Sequence, residues 1–378
     1  MALAKTKPML VLGIMSGTSI DAVDCAVCRV APGSVRLVTH WQVKFPKALQ
    51  ERLHRAAANQ ATSHELAQWH HDLGRFYAKA AQRGLRGRRV RLAGLHGQTV
   101  FHHPSPSNPA TLQLGEPAYL VEALRAPVVS NFRPADIAAG GQGAPLATLF
   151  HQIAFGQAGA HVCVNNLGGI SNLTSIDWRR ARKPKLLAFD TGPANVLIDL
   201  AMRHFTGGRR TLDRDGAWAS RGKVNVPLLN EWLDEPFFRA PPPKSTGREQ
   251  FGEAFFNRAL RRMSKLSAQN ALATFTEFTA QSLALNYRLH LPTTPDRVVL
   301  TGGGAANRYL ASRIRAHLTL LNAQVKIQTS DELGWPLQSV EPAAFALLAY
   351  YRWHQHPGNI PSTTGARRAV LLGQLAAP

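Results

Sequence analysis

The N-terminal region combines a short apolar run with hydroxyl, glycine and carboxylate side chains. Residues 9–14 have the length of a buried strand, and the small and acidic residues after them are Gly17, Thr18, Ser19, Asp21 and Asp24. A turn of small residues can direct backbone N–H groups and hydroxyls at phosphate oxygens, while a carboxylate beside it holds the accompanying cation. The pattern suits a nucleotide phosphate site, and an ordinary hairpin turn explains it equally well.

An acid at the end of a later strand pattern is the main candidate for catalysis. Residues 186–189 are apolar, Asp190 follows them, and a Thr-Gly-Pro turn leads into a helix pattern at 196–204. A carboxylate at the carboxyl end of a strand is well placed to meet a ligand. At a reference pKa of roughly 3.9, it is expected to be ionised near neutral pH and to act as a base or a metal partner, not as an acid.

His96 and Gln98 follow residues 90–95, which have the pattern of a buried strand. Ligands commonly bind at strand ends in sheets that are flanked by helices, so both side chains are candidates for contacting a substrate. The alternative for His96 is a hydrogen-bonded structural histidine.

A polar, glycine-rich segment at 130–146 contributes Arg133, Asp136 and Gln142. The planar guanidinium suits a carboxylate or phosphate, and the other two side chains can bond to sugar hydroxyls. A binding role is therefore expected for this segment. The alternative is a connecting loop in which Arg133 and Asp136 pair with each other.

Two further glycine clusters follow apolar segments in the second half of the chain. Gly168 and Gly169 separate two strand patterns, which repeats the strand, turn and strand of the N-terminus. A strand pattern at 297–300 leads to three glycines and a helix pattern at 307–318. These glycines are Gly302, Gly303 and Gly304. Glycines before a helix N-terminus let the backbone approach a nucleotide closely, and the absence of Gly-Lys-Ser/Thr excludes a Walker loop.

The remaining patterns predict an α/β fold. Strands are expected at 9–14, 23–30 and 35–43, and helices at 62–81, 268–290 and 341–353. Thr62 and Glu65 are spaced as a capping box that starts the first of these helices. Glu341 lies in the first turn of the last helix, where it is either a favourable dipole partner or a site residue.

The composition is that of a globular chain. A length of 378 residues suggests about two domains, and a hydrophobic content of 45 % is typical of a packed core. Three scattered cysteines argue against a disulfide framework. Because no signal pattern and no membrane-spanning stretch is visible, we expect a cytoplasmic protein without a membrane partner.

The chain is strongly basic, with 44 Lys and Arg residues against 23 acids and a net charge of +21. Such a charge can mark a nucleic-acid binder, and a basic nucleic-acid-binding protein with an ATPase fold is the alternative from another class. The basic residues are dispersed, however, and no known nucleic-acid signature accompanies them. We therefore expect no nucleic-acid partner. Attraction for an anionic small substrate, or solubility in the host, explains the charge as well.

Taken together, these stretches resemble the anhydro-N-acetylmuramic acid kinases of the sugar kinase, Hsp70 and actin ATPase superfamily. The motifs that carry the resemblance are GIMSGTSIDAVD, HGQTVFHHP, FRPADIAAGGQGAPL, NNLGGISN, FDTGPAN, DRDGAWA, KSTGREQF, TGGGAANRYL and the segment around Glu341. The resemblance implies a two-lobed, actin-like (ribonuclease H-like) fold with duplicated β-sheet domains flanked by helices. Residues 1–130 and 341–378 are expected to form the first lobe, and residues 131–340 the second.

The resemblance also implies an activity. ATP would phosphorylate O6 of 1,6-anhydro-N-acetylmuramic acid as water opens the ring, giving N-acetylmuramic acid 6-phosphate in peptidoglycan recycling. Asp190 would be the base, and Asp21 would hold Mg²⁺ through water. A conventional sugar-hydroxyl kinase of the same superfamily is the alternative, and a homodimer is expected from the resemblance alone.

Site roles follow from the same resemblance. The residues assigned to the nucleotide are Gly17, Thr18, Ser19, Asp21, Asp24, Gly168, Gly169, Gly302, Gly303 and Gly304. The residues assigned to the sugar are His96, Gln98, Arg133, Asp136, Gln142 and Glu341. The sequence departs from the family pattern at Asn131, Ala194 and Pro342, and Ala194 matters only if that position requires a positive φ.

Overall fold

The computed structural model describes residues 6–17, 19–104, 107–179 and 183–378. The chain divides into two compact units, the first formed by Met1–Ala154 with Gln338–Pro378 and the second by Phe155–Leu337. The first unit therefore extends beyond the predicted boundary at residue 130. The segment after that boundary is held there because Asp136 accepts hydrogen bonds from Asn359 and Thr364.

The strands follow the alternating and apolar runs of the sequence. In the described part of the chain they are β1 (Met9–Ser16), β2 (Ala22–Ala31), β3 (Ser34–Lys44), β4 (Leu92–His103), β5 (Ala110–Leu114), β6 (Val128–Ser130), β7 (His161–Leu167), β8 (Ile170–Asp177), β9 (Lys185–Pro193), β10 (Arg297–Thr301), β11 (Lys326–Thr329) and β12 (Gln374–Ala376).

The helices carry most of the remaining apolar residues. In the same described ranges they are α1 (Lys47–Ala57), α2 (Ser63–Leu85), α3 (Ala118–Leu124), α4 (Arg133–Ala138), α5 (Thr148–Phe155), α6 (Asn195–Phe205), α7 (Val226–Leu233), α8 (Pro236–Arg239), α9 (Arg248–Phe251), α10 (Glu253–Arg262), α11 (Ala268–His290), α12 (Arg308–Leu321), α13 (Val340–Trp353) and α14 (Pro361–Thr364).

Each unit is built on one mixed sheet, and the two sheets share one topology. The strand order is β12-β6-β4-β1-β2-β3 in the first unit, with β5 paired to β4, and β11-β10-β7-β8-β9 in the second. In both sheets three consecutive strands form an antiparallel meander, and later strands run parallel to the first of them. This repeated order confirms the predicted α/β fold with duplicated, ribonuclease H-like sheets.

Local signals predicted several elements well. Thr62 caps α2 as expected, because its hydroxyl accepts from the Glu65 N–H at 3.2 Å and the Glu65 carboxylate accepts from the Thr62 N–H at 2.9 Å. One face of α2, with Trp69, Leu73 and Tyr77, is buried in the first unit. The helix spacing of these apolar residues therefore fixes which face packs on the sheet.

Helix α13 covers the other face of the first sheet, against β1, β2 and β4. The backbones of β1 and α13 approach so closely that a Cβ on Gly13 would lie 1.7 Å from the Pro342 carbonyl oxygen. Pro342 lies in the first turn of α13, where a missing N–H is tolerated. Since no larger side chain fits, Gly13 is required here for packing.

Strand β4 is longer than predicted. The sequence placed its end at residue 95, whereas β4 continues to His103 because β5 pairs with it between Gln98 and His103. Gly97, with φ of +80°, lies between the part paired with β6 and the part paired with β5. His96 and Gln98 are therefore inside a strand, not beyond its end.

Candidate functional site

Asp190 lies in β9, opposite Asn172 of β8. Its carboxylate Oδ2 accepts a hydrogen bond from the Thr246 N–H at 2.9 Å, and its own N–H donates to the Lys244 carbonyl oxygen at 3.0 Å. Residues 244–246 therefore run along β9 and hold the acid at both its backbone and its side chain. Lys244 and Thr246 were not predicted as site residues, although the KSTGREQF motif contains both.

Burial raises the pKa of Asp190 to about 7, and the nearby Glu249 acts in the same direction. The Thr246 N–H and the Lys244 ammonium lower that pKa but do not cancel the effect of burial. The sequence-based expectation of complete ionisation at neutral pH was therefore wrong, because it used the pKa of an exposed carboxyl. A carboxyl with a pKa near 7 suits general base catalysis at neutral pH.

The two glycine clusters of the second unit lie against each other. A Cβ on Gly302 would lie 2.1 Å from Oδ1 of Asn166, and a Cβ on Gly304 would lie 2.8 Å from Cβ of Leu167. Asn166 and Leu167 end β7, which leads directly to Gly168 and Gly169. Gly303 has no heavy atom near its would-be Cβ and borders open space. These glycines form a narrow backbone surface that a phosphate or nucleoside can approach.

The first cluster also caps a helix. Gly168 and Gly169 accept hydrogen bonds through their carbonyl oxygens from the N–H groups of Ala194, Asn195 and Val196 at the start of α6. Ala194 has φ of −112°, so this position does not need the positive φ that would require glycine. The predicted turn at 302–304 continues into a short 3₁₀ segment, Gly303–Ala306. Helix α12 begins after Asn307, which caps its N-terminus.

In the first unit, β1 ends in the predicted small-residue turn. The Gly17 carbonyl oxygen accepts from the Ile20 N–H at 3.1 Å and from Nε2 of Gln98 at 3.1 Å. Ser19 and Asp21 are exposed, whereas Thr18 lies outside the described residues. Gln98 is fully buried, so it joins this turn to β4 and does not present its side chain to solvent.

Asp24 lies on β2, and its carboxylate accepts from Nε2 of Gln42 at 2.9 Å. Burial raises the pKa of Asp24 to about 7, and the negative charge of Glu341 on α13 adds to that rise. Asp24 and Glu341 thus lie within electrostatic reach of each other, although the sequence assigned one to the nucleotide and the other to the sugar. Of the two nucleotide-assigned acids, the exposed Asp21 is the more accessible to a hydrated cation.

Arg133 is bound to His96 in this structure. Its Nη2 lies 2.8 Å from Nε2 of His96, and its Nη1 donates to the Gly143 carbonyl oxygen at 2.7 Å. Burial and the neighbouring guanidinium hold the pKa of His96 well below its ordinary value, so the imidazole is neutral. Arg133 does not pair with Asp136, as the alternative interpretation of this segment required, because each has other partners.

Asp136 is completely buried, which revises its predicted contact with the sugar. Oδ1 accepts from Asn359 and from Thr364, each at 2.7 Å, and Oδ2 accepts from the Gly143 N–H at 2.8 Å. The backbone of Gln142 is tied to the same place, through its N–H and the Thr364 carbonyl oxygen. Asp136 therefore holds the glycine-rich segment in place through these hydrogen bonds. Arg133 and Gln142 remain the candidates in that segment for binding the sugar.

Replacing Asp136 with Asn is expected to destabilise the protein by about 1–3 kcal/mol, because the new amide group faces donors on both sides. Thermal and urea unfolding of the two proteins measure the difference. Glu122→Gln, at an exposed position of the same unit, is the control and should change stability by less than ~0.5 kcal/mol. Unchanged stability together with a loss of sugar binding would return Asp136 to the substrate site.

Asn131, where the family pattern has an acid, adopts a positive φ of 55° and donates from Nδ2 to Oε1 of Gln374 at 3.3 Å. Asparagine tolerates that backbone conformation better than most residues. The departure is thus accommodated within the first unit.

Within the described ranges, no group of three or more His, Cys, Asp or Glu side chains could hold a metal ion directly. None of the helices in these ranges is long and apolar enough to cross a membrane.

Comparison with known proteins gives matches over almost the whole chain. A family model described as anhydro-N-acetylmuramic acid kinase matches residues 9–378. An anhydro-N-acetylmuramic acid kinase from Microcystis aeruginosa is 41 % identical over 97 % of this chain and 100 % of its own length. One from Picosynechococcus is 39 % identical over 98 % of this chain and 100 % of its own length.

Solved structures match more weakly. The activator of 2-hydroxyisocaproyl-CoA dehydratase from Clostridium difficile, with bound ADPNP, matches with a TM-score of 0.43 and 10 % identity, covering 90 % of this chain and 94 % of that one. At these values the similarity does not bear on function.

Proposed function

This chain belongs to the anhydro-N-acetylmuramic acid kinase family, and we propose that it uses ATP to convert 1,6-anhydro-N-acetylmuramic acid into N-acetylmuramic acid 6-phosphate in peptidoglycan recycling. The observation that carries this proposal is Asp190. It is a half-buried carboxyl with a pKa of about 7, fixed by the Thr246 N–H and placed in the unit that also holds two glycine turns. A base, a sugar and a phosphoryl donor are what the reaction requires.

The reaction couples two displacements, one at C1 of the sugar and one at the γ-phosphorus of ATP. Asp190 removes a proton from water, whose oxygen attacks C1 of the sugar, and the bond between C1 and O6 breaks. As this bond breaks, O6 attacks the γ-phosphorus of ATP, and ADP leaves with the electron pair of the broken phosphoanhydride bond. Transfer of the phosphoryl group to O6 avoids a free alkoxide, which is a poor leaving group. Asp190 supplies the general base, a contribution of typically 10²–10⁴-fold in rate.

We assign the nucleotide to the turns that the sequence indicated. The open space beside Gly303 and the narrow backbone around Gly302 and Gly304 fit a nucleoside or phosphate. Asp21 is exposed and fits a magnesium ion held through water. When bound, Mg²⁺ neutralises charge on the transferring phosphoryl group. His96, Arg133, Gln142 and Glu341 stay assigned to the sugar, with Arg133 facing its lactyl carboxylate after release from its present partners.

Oxygen-18 water tests the ring opening. If the proposed reaction occurs, the product carries one solvent oxygen at C1, and mass spectrometry detects an increase of two mass units. A conventional kinase acting on a free sugar hydroxyl introduces no solvent oxygen. Phosphorylation without oxygen-18 at C1 would therefore replace the proposed reaction with that alternative.

We also propose a cytoplasmic location and, from the family resemblance, a homodimer. Sedimentation equilibrium of the purified chain tests the second point. A mass of twice 41.3 kDa supports it, and a single 41.3 kDa species would overturn it.

A further inference from the structure

Lys244 places an enclosed positive charge beside the proposed base. The side chain is only 7 % exposed. Its ammonium donates to the carbonyl oxygens of Phe237 and Phe238 at 3.0 and 3.1 Å, at the carboxyl end of α8. It also lies 3.0 Å from Nε2 of His290, at the end of α11. The same Nε2 lies 2.8 Å from the Phe238 carbonyl oxygen, so His290 accepts from the ammonium only in the tautomer that carries its proton on Nδ1. The two carbonyl oxygens are acceptors for the ammonium in either tautomer.

Two aromatic rings complete the enclosure. The ammonium is 4.6 Å from the ring centre of Phe237 and 5.8 Å from that of Phe189, the residue before Asp190. Such contacts favour the charged form of a lysine. Burial lowers the pKa of Lys244 to about 8, so the acceptors and rings offset only part of the cost of enclosing the ammonium, which stays mostly charged at neutral pH. Among the described residues it has no bonded carboxylate partner.

The backbone of the same residue contacts the base directly. The Lys244 carbonyl oxygen accepts from the Asp190 N–H at 3.0 Å, and two residues later the Thr246 N–H donates to the Asp190 carboxylate at 2.9 Å. The buried side chain therefore anchors the segment that holds Asp190. Withdrawal of the ammonium from its carbonyls would release both contacts.

The arrangement separates the charge from the base. A bonded lysine or arginine lowers the pKa of a carboxyl by ~1–3 units and leaves a weak base. Here the ammonium bonds to neutral acceptors, so Asp190 experiences its charge only through space. The charge thus offsets part of the rise that burial causes in the pKa of Asp190, and the carboxylate keeps its basicity.

We propose that Lys244 is a positioning residue for the phosphorylation reaction, which holds residues 244–246 against β9 and uses its charge to keep Asp190 ionised near neutral pH. This inference rests on the proposed role of Asp190 as the base. The other charged or titratable groups around the pair are Glu249 of α9, whose charge opposes that of Lys244, and His290 of α11. Burial lowers the pKa of His290, which favours its neutral form.

The test is the pH dependence of kcat in Lys244→Met. A base must be deprotonated, so activity falls as pH drops through its pKa, and loss of the positive charge raises that pKa. We expect the acid limb to move up by about one pH unit, so that kcat falls roughly tenfold more at pH 6 than at pH 9. Lys244→Arg keeps the charge and should restore the limb, and Lys265→Met is the matched control at an exposed lysine.

ATP binding, measured by calorimetry, shows whether each variant is folded, and Lys244→Gln replaces Lys244→Met if the latter does not fold. An acid limb at the wild-type position overturns the inference, whether or not kcat is lower at all pH values. Wild-type protein that does not phosphorylate the anhydro sugar would instead overturn the proposed function and the inference with it. The two failures are thus distinguished in one experiment.

Discussion

Asp190→Asn is expected to lower sugar phosphorylation by about 10²–10⁴-fold while leaving ATP binding unchanged. The amide has the shape of the carboxyl and can still accept the Thr246 N–H through its oxygen, so the fold of β9 is preserved. It cannot take a proton from water, so the ring-opening step loses its base. Steady-state kinetics with the anhydro sugar and calorimetric titration with ATP measure the two quantities separately.

Glu249→Gln is the matched control for that variant. Glu249 is exposed and contributes to the raised pKa of Asp190, but it does not bond to that residue. Its removal should keep activity at pH 8 and move the acid limb to lower pH, the opposite of the shift expected for Lys244→Met. Full activity in Asp190→Asn would remove this residue from the reaction.

Gly302→Ala is expected to raise the KM for ATP by roughly tenfold or more and to lower thermal stability. Gly302 has φ of +77°, which an alanine adopts only with strain, and the added Cβ would lie 2.1 Å from Oδ1 of Asn166. Overpacking of this kind costs typically ~1–3 kcal/mol, and about 1.4 kcal/mol corresponds to tenfold in affinity. Both costs fall on the turn that we assign to the nucleotide.

Gly159→Ala separates backbone strain from the effect on the turn. Gly159 has the same φ of +77°, belongs to the same unit and has no heavy atom within 4 Å of its would-be Cβ. Its substitution should cost about 1 kcal/mol of stability and leave the KM for ATP unchanged. A wild-type KM for ATP in Gly302→Ala would exclude Gly302 from the nucleotide site.

The sequence predicted what depends on neighbours along the chain. The capping box of Thr62 and Glu65 and the glycine turn after β10 rest on spacing of a few residues. The end of β9 was predicted wrongly, because the strand continues through Asp190 to Pro193 where the sequence indicated a turn. The sequence showed the strand, turn and strand pattern twice because each sheet begins with the same antiparallel meander.

The errors come from contacts between distant parts of the chain. Asp136 was assigned to the sugar because nothing local reveals that Asn359 and Thr364, more than two hundred residues later, occupy its carboxylate. The ionisation of Asp190 was misjudged because burial is a tertiary property. Lys244 was overlooked since its acceptors lie on α8 and α11, and only its place in a family motif could have directed attention to it.

Transfer of the labelled γ-phosphoryl group of ATP to a sugar tests the central claim most directly. Purified protein is incubated with Mg-ATP and either 1,6-anhydro-N-acetylmuramic acid or N-acetylmuramic acid, and the labelled sugar phosphate is quantified. We predict N-acetylmuramic acid 6-phosphate from the anhydro sugar and far less label on N-acetylmuramic acid, because ring opening supplies the accepting oxygen. Equal or greater labelling of N-acetylmuramic acid, or no labelling of the anhydro sugar, would contradict the proposed function.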